Sequence, residues 1–118
     1  QINIEALTMI QMVRRQIFPA VMEYASKLKD STLAVGRNMF RKLDASLLAL
    51  NDNLEKLEQD TVKAGEIEKN TLKKAEAYRD KVFIDMQILR KDCDTLEQIV
   101  PASIWPMPTY SEMVLLSN

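Results

Sequence analysis

Residues 43–57, LDASLLALNDNLEKL, place leucines at positions 43, 47, 50, 54 and 57. The successive steps of 4, 3, 4 and 3 residues approximate the heptad spacing of a helix with one apolar seam. Met39 and Val35 continue the seam towards the N-terminus, and charged residues fill the other faces. The pattern predicts a long, solvated helix over about residues 32–62, preceded by the capping sequence Asp-Ser-Thr at residues 30–32.

A first helix is predicted before it, over about residues 4–28. Apolar residues at helical spacing define this segment: Leu7, Ile10, Ile17, Val21, Tyr24 and Leu28. Pro19 interrupts the pattern. Because proline has no backbone N–H and crowds the preceding turn, we expect the helix to kink or break near Phe18.

A third helix is predicted over about residues 66–100. Its residues at helical spacing are Ile67, Thr71, Ala75, Tyr78, Val82, Met86, Leu89, Cys93, Leu96 and Val100. Pro101 ends the pattern, since proline disfavours helix at the residue before it. We expect Gly65 to be the residue just beyond the end of the second helix. Lys81 and Asp85 have the spacing of an ion pair on an exposed helix face.

A length of 118 residues fits one small domain, residues 1–118. The presence of only two glycines favours a helical structure for this domain. Short turns between long helices make neighbouring helices antiparallel. The third helix alone would be about 50 Å long. The sequence therefore predicts an all-α fold, an elongated antiparallel three-helix bundle with a proline-rich tail.

The tail, residues 101–118, differs from the helices in composition. Its three prolines favour an extended run through Trp105. Thr109 and Glu112 have the spacing of a capping box, which predicts a short C-terminal helix from about Tyr110. We expect Trp105 and Tyr110 to dock on the bundle. Recognition of the Trp-Pro-Met-Pro run by an aromatic-lined groove of a partner is the alternative.

Composition excludes several classes of function. The chain has no histidine, so Ser–His nucleophiles and histidine-bearing metal sites are not available. Two carboxylates on one helix, Glu55 and Glu58, are too few for a divalent cation. A net charge of −1 with interspersed signs argues against nucleic-acid binding, and no stretch is apolar enough to span a membrane. The lone Cys93 fits a buried thiol in a reducing, cytoplasmic setting.

The first helix is more apolar than a bundle requires. Sixteen of the 27 residues between Ile2 and Leu28 are apolar. Such a helix is buried on more than one side, so it either self-associates or is covered by a larger body. Because the sequence does not begin with methionine, we expect a piece of a larger protein.

Five stretches carry a resemblance to the C-terminal helical region of the type III glutamine synthetases, the long-subunit class of that enzyme. They are residues 4–9 (IEALTM), 17–21 (IFPAV), 78–83 (YRDKVF), 105–110 (WPMPTY) and 112–116 (EMVLL). The WPMPTY run is the most specific of them, because prolines clustered around one tryptophan rarely arise from helix composition. Residues 35–70 add only generic helix.

The resemblance implies a non-catalytic, structural or assembly domain of an enzyme that joins ammonia to glutamate with ATP and Mg or Mn. It also implies a cytoplasmic homo-oligomer, with an upstream catalytic domain of the same polypeptide as the partner. None of the catalytic, nucleotide or metal motifs occurs here, so no such residue is assigned. The residues assigned to structure or interaction are Trp105, Pro106, Pro108, Tyr110, Pro19 and Phe18. The alternative is an independent helical interaction or oligomerisation module.

Overall fold

The computed structural model describes residues 1–107, which form three helices and no strand. Helix α1 comprises Ile2–Met12, a π-helical turn at Val13–Ile17, and Phe18–Lys29. Helix α2 is Ala34–Gly65. Helix α3 comprises Thr71–Ala77, a second π-helical turn at Tyr78–Val82, and Phe83–Ile99.

The three helices run up, down and up. Between α1 and α2, Arg14 pairs with Glu58, while Lys29 lines the same groove as Phe40, so residue numbers rise in one helix and fall in the other. Residues 53 and 56 of α2 pair with residues 92 and 85 of α3, which gives the same antiparallel relation. The described residues measure 58 × 36 × 19 Å. The predicted all-α, elongated three-helix fold is therefore confirmed.

The leucine seam of α2 forms the centre of the core. Its fully buried members are Leu43, Leu50, Leu54 and Leu57. They pack with the buried faces of α1 and α3, which contribute Ala6, Ile10, Val13, Ile17, Val21, Val82, Met86, Leu89 and Leu96. Four predicted positions of the apolar patterns are wrong: Leu7, Val35, Thr71 and Ala75 are exposed. Gly36, rather than Val35, is the buried residue in the first turn of α2.

Ser31, which belongs to the predicted capping sequence, packs against the first turn of α2. Leu33 is the N-cap residue in an extended conformation, and its N–H donates to Ser31 Oγ at 3.1 Å. The same serine side chain fills the space where a Cβ would stand at Gly36. Glycine is thus required at position 36 by a close approach between this turn and the helix.

Pro19 widens α1 without breaking it. The Phe18 N–H donates to the Val13 carbonyl, five residues earlier, so Val13–Ile17 form a π turn directly before the proline. A wider turn leaves room for the proline ring, which would crowd the carbonyl of Arg15 in a regular α-helix. Of the two expected outcomes near Phe18, a kink or a break, the break is therefore wrong, and α1 runs on to Lys29.

Helix α3 begins later than the apolar pattern indicates. The Asn70 side chain accepts a hydrogen bond from the Lys73 N–H at 2.9 Å, which makes Asn70 the N-cap of a helix that starts at Thr71. Gly65 is the last residue of α2 and has no positive φ, contrary to the expected position beyond the helix end.

The chain turns at Pro101 after α3. Val100 is extended, the conformation favoured before proline. The Pro101 carbonyl then accepts hydrogen bonds from the N–H groups of Ile104 and Trp105, at 2.9 and 3.0 Å. The predicted capping box, the short C-terminal helix, Pro108 and Tyr110 lie outside the described residues. Over residues 1–107, no helix has both the length and the apolar character needed to cross a membrane.

Candidate functional site

Two grooves run along opposite sides of α1, and the sequence-predicted site residues divide between them. Phe18 is half-buried in the groove between α1 and α2, together with Phe40 and Leu47. Trp105 lies in the groove between α1 and α3, which Ile17 also lines. The structure therefore does not bring Phe18 and Trp105 together. Pro19, which follows Phe18, is exposed.

The α1/α3 groove has a volume of about 550 Å³ and a largely apolar lining. Its apolar members are Ile4, Met9, Met12, Ile17, Met86, Cys93, Trp105 and Met107. The Pro101 turn returns the chain to this groove, where Trp105 is only 8% exposed and Met107 is half-buried. Pro106 between them is exposed. The described part of the tail thus contributes side chains to the groove.

Cys93 lines the same groove without the features of a reactive thiol. Burial raises its pKa to about 12, and the neighbouring carboxylates of Asp92 and Asp94 act in the same direction. A thiol with that pKa stays protonated at neutral pH and is a poor nucleophile. Cys93 therefore contributes packing to the groove.

The outward face of α1 carries exposed apolar side chains. Ile4 is 60% exposed and Leu7 is 49% exposed. They border a shallow depression along the helix, whose other members are Thr8, Gln11, Met12, Arg15 and Gln16. Large side chains of this kind on one helix face are typical of a surface that another body covers.

A polar cluster between α2 and α3 was missed by the sequence pattern. Asp60 and Asp85 are both buried, and they are the only buried carboxylates of residues 1–107. Lys56 Nζ lies 3.0 Å from Asp60 Oδ2 and 3.7 Å from Asp85 Oδ1. Asp85 Oδ2 has no hydrogen-bond partner. The expected exposed ion pair of Lys81 with Asp85 is wrong, because Asp85 points into the α2/α3 interface.

The two aspartates have opposite pKa shifts. Burial raises the pKa of Asp85 to about 6, and the adjacent Asp60 acts in the same direction. The pKa of Asp60 is lowered, chiefly by a hydrogen bond from Asp85 and further by Lys56. These directions describe a pair in which, below about pH 6, Asp85 holds the proton and Asp60 carries the charge.

Other interhelical polar contacts lie nearer the surface. The Arg14 guanidinium makes a two-pronged contact with Glu58, with Nε 3.0 Å from Oε2, and this contact occupies one of the two carboxylates considered for a cation. Asn53 donates to Asp92 at 2.7 Å across the α2/α3 interface. Within residues 1–107, no group of three or more metal-ligating side chains is arranged to hold a metal ion.

Comparison with known proteins relates this arrangement to one enzyme family. The profile of the family described as the glutamine synthetase C-terminal domain matches residues 1–36, which cover α1 and the start of α2. A glutamine synthetase of Butyrivibrio fibrisolvens is 34% identical over 124 residues, an alignment that covers 96% of this chain. The chain spans 18% of the length of that relative. No solved structure matches the chain. The alignment includes nearly all of α1, α2 and α3, so the chain is similar to a glutamine synthetase across its three helices and to the C-terminal domain family of that enzyme over residues 1–36.

Proposed function

We propose that this chain is the non-catalytic, C-terminal helical domain of a type III glutamine synthetase, with a structural or assembly role. The parent enzyme would join ammonia to glutamate at the expense of ATP. The observation that carries the proposal is an alignment that covers 96% of the chain but 18% of the related enzyme, which leaves most of that enzyme for the chemistry. The parent is proposed to be a cytoplasmic homo-oligomer.

The buried carboxylates of the described residues do not fit Mg or Mn. The only buried carboxylates among them, Asp60 and Asp85, face the ammonium group of Lys56, which would repel a divalent cation. Arg14 is engaged with Glu58, and Arg79 with Asp80, so neither guanidinium is free for a phosphate. Nucleotide and metal are proposed to bind in the preceding part of the enzyme.

The outward face of α1 is the proposed contact with that preceding part. Ile4, at the border of the α1/α3 groove, and Leu7 are exposed, although α1 already packs on two helices. The chain covers less than a fifth of its relative, so a large body in the same polypeptide is expected. Because the family is described as a C-terminal domain, that body precedes α1 and lies closest to it along the chain. The proposed occupant is the catalytic part of the same polypeptide.

The test compares two pairs of substitutions in the full-length polypeptide that contains this sequence. Ile4→Lys with Leu7→Lys places charges on the proposed contact. Leu33→Lys with Val35→Lys is the matched control, since these side chains are at least as exposed but lie at the start of α2. Circular dichroism of the 118-residue chain checks that both double variants keep their helical content.

We expect the α1 double variant to lower the thermal midpoint of the full-length enzyme, to reduce glutamine synthesis and to shift its sedimentation to smaller species. The control should leave all three unchanged. Equal behaviour of both double variants would overturn the proposed contact. A tight oligomer of the 118-residue chain that only the α1 variant dissociates, with the full-length enzyme unaffected, would favour the independent oligomerisation module instead.

The tail is proposed to seal the α1/α3 groove. Trp105 is buried and lines the same groove as Ile17 and Met86, whereas its neighbour Pro106 is exposed. Trp105→Ala should lower the unfolding free energy of the chain by about 3–5 kcal/mol, the range for buried aromatic truncations. Pro106→Ala is the control and should change it by less than about 0.5 kcal/mol. Urea denaturation followed by circular dichroism measures both, and an unchanged midpoint for Trp105→Ala would contradict the sealing role.

A further inference from the structure

The buried carboxyl pair between α2 and α3 lacks balancing charge. Asp85 is 4% exposed, and its Oδ2 has no partner among the described residues. Lys56 faces both carboxyls, but its own side chain is mostly in solvent. An ionised carboxylate in such a place carries a desolvation cost that one solvated ammonium group offsets only in part.

The other charged groups near the pair do not remove this deficit. Lys81, one turn before Asp85 on α3, contributes a favourable field at Asp60 and is exposed. On α1, Arg14 is engaged with Glu58. Two carboxyls and one close ammonium group therefore remain, and a single proton on Asp85 would both remove a buried charge and give Oδ2 or Oδ1 a hydrogen bond to donate.

We propose that Asp60 and Asp85 hold one proton between them in the folded chain, and that release of this proton weakens the packing of α2 against α3. The pair is then a proton-dependent contact between the two helices, which we call the clasp. The inference rests on the buried pair alone and is independent of the proposed catalytic parent.

The sign of the pH dependence follows from the raised pKa of Asp85, about 6 in the folded chain. Its contribution to stability is complete below the unfolded pKa, 3.8, and is lost as the pH rises through about 6. Between pH 5 and pH 7.5, proton linkage gives a rise of about tenfold in the unfolding equilibrium constant. The lowered pKa of Asp60 acts only at more acidic pH, where its contribution is lost as the pH falls.

The chain is favourable for testing this, because it contains no histidine to titrate in the same range. Urea denaturation of the 118-residue chain at pH 5 and pH 7.5 would be compared for the natural sequence and Asp85→Asn. Asparagine keeps the shape of the protonated carboxyl and cannot ionise. Asp94→Asn, an exposed position on the same helix, is the matched control.

We expect the natural chain and Asp94→Asn to lose stability by about tenfold in the unfolding constant between the two pH values, and Asp85→Asn to lose much less. Equal pH dependence in all three would overturn the proposal. Titration of the carboxyl carbons of the natural chain by NMR gives a second measurement that needs no variant. A midpoint for Asp85 near 6 supports the clasp, and a midpoint near 4 would overturn it.

Discussion

Helix α2 contacts its two neighbours through different kinds of polar pair. Towards α1, the Arg14–Glu58 contact lies at the rim, where both side chains remain more than a third exposed. Towards α3, Asp60 and Asp85 are buried beside Lys56. Ion pairs at the rim contribute little to stability, because water screens the paired charges and solvates the separated charges about as well. Burial, rather than the number of charges, is therefore expected to decide which interface responds to substitution and to pH.

The leucine seam of α2 belongs to both interfaces, and the loss of one of its leucines is expected to have the largest effect on stability. Leu57 is fully buried, so Leu57→Ala should lower the unfolding free energy by about 2–5 kcal/mol through lost burial and a residual cavity. Urea denaturation at pH 5 gives the value, with the exposed Leu48→Ala as control. A loss for Leu57→Ala no larger than that of the control would mean that the polar pairs dominate both interfaces.

Asp60→Ala removes one member of the buried pair. It should cost about 1–3 kcal/mol, because Asp85 is left buried without the neighbouring carboxyl and the Lys56 side chain loses its 3.0 Å contact with Asp60. Asp52→Ala, on an exposed turn of the same helix, should change the unfolding free energy by less than about 0.5 kcal/mol. Similar values for the two variants would break the distinction between buried and rim carboxylates.

Asn53→Ala tests an intermediate case. The Asn53–Asp92 hydrogen bond is partly buried at 2.7 Å, and its loss should cost about 0.5–1.5 kcal/mol. A double-mutant cycle with Asp92→Ala measures the coupling between the two side chains directly. A coupling energy of zero would show that this contact does not join α2 to α3 in solution.

Glu58→Ala is expected to have the smallest effect. The rim pair with Arg14 should contribute less than about 1 kcal/mol, and 1 M salt should reduce that contribution further. Thermal denaturation at low and high salt, compared with the natural chain, measures both quantities. If Glu58→Ala lowered the unfolding free energy as much as Asp60→Ala does, and if this effect did not depend on salt, the assignment of Glu58 to the rim would be contradicted.

Residue spacing along the chain was sufficient to predict the features that depend on a single helix. The seam from Leu43 to Leu57 and the end of α3 before Pro101 both follow from local pattern. The predicted burial of Val35 was wrong, because Ser31 packs against Gly36 and Val35 faces outward. The late start of α3 was missed because the Asn70 cap outweighs an apolar pattern that continues back to Ile67.

Features between helices could not be predicted in this way. Asp60 and Asp85 are 25 positions apart, and only the relative shift of α2 and α3 brings them together. Lys81 and Asp85 have ideal spacing for a surface pair, yet the buried position of Asp85 overrides it. The exposed apolar face of α1 was expected from its composition, whereas its position relative to α2 and α3 required the structure.

The π turn at Val13–Ile17 also bears on the direction in which that apolar face points. A π turn holds one residue more than an α turn within about one turn of the helix. Deleting a single residue from it would therefore leave an α turn, with Ile4 and Leu7 close to their present orientation relative to Val21. The same deletion in a regular α-helical part of α1 would rotate them by about 100°. The π turn is thus the place in α1 where the chain can change length without turning the proposed docking surface.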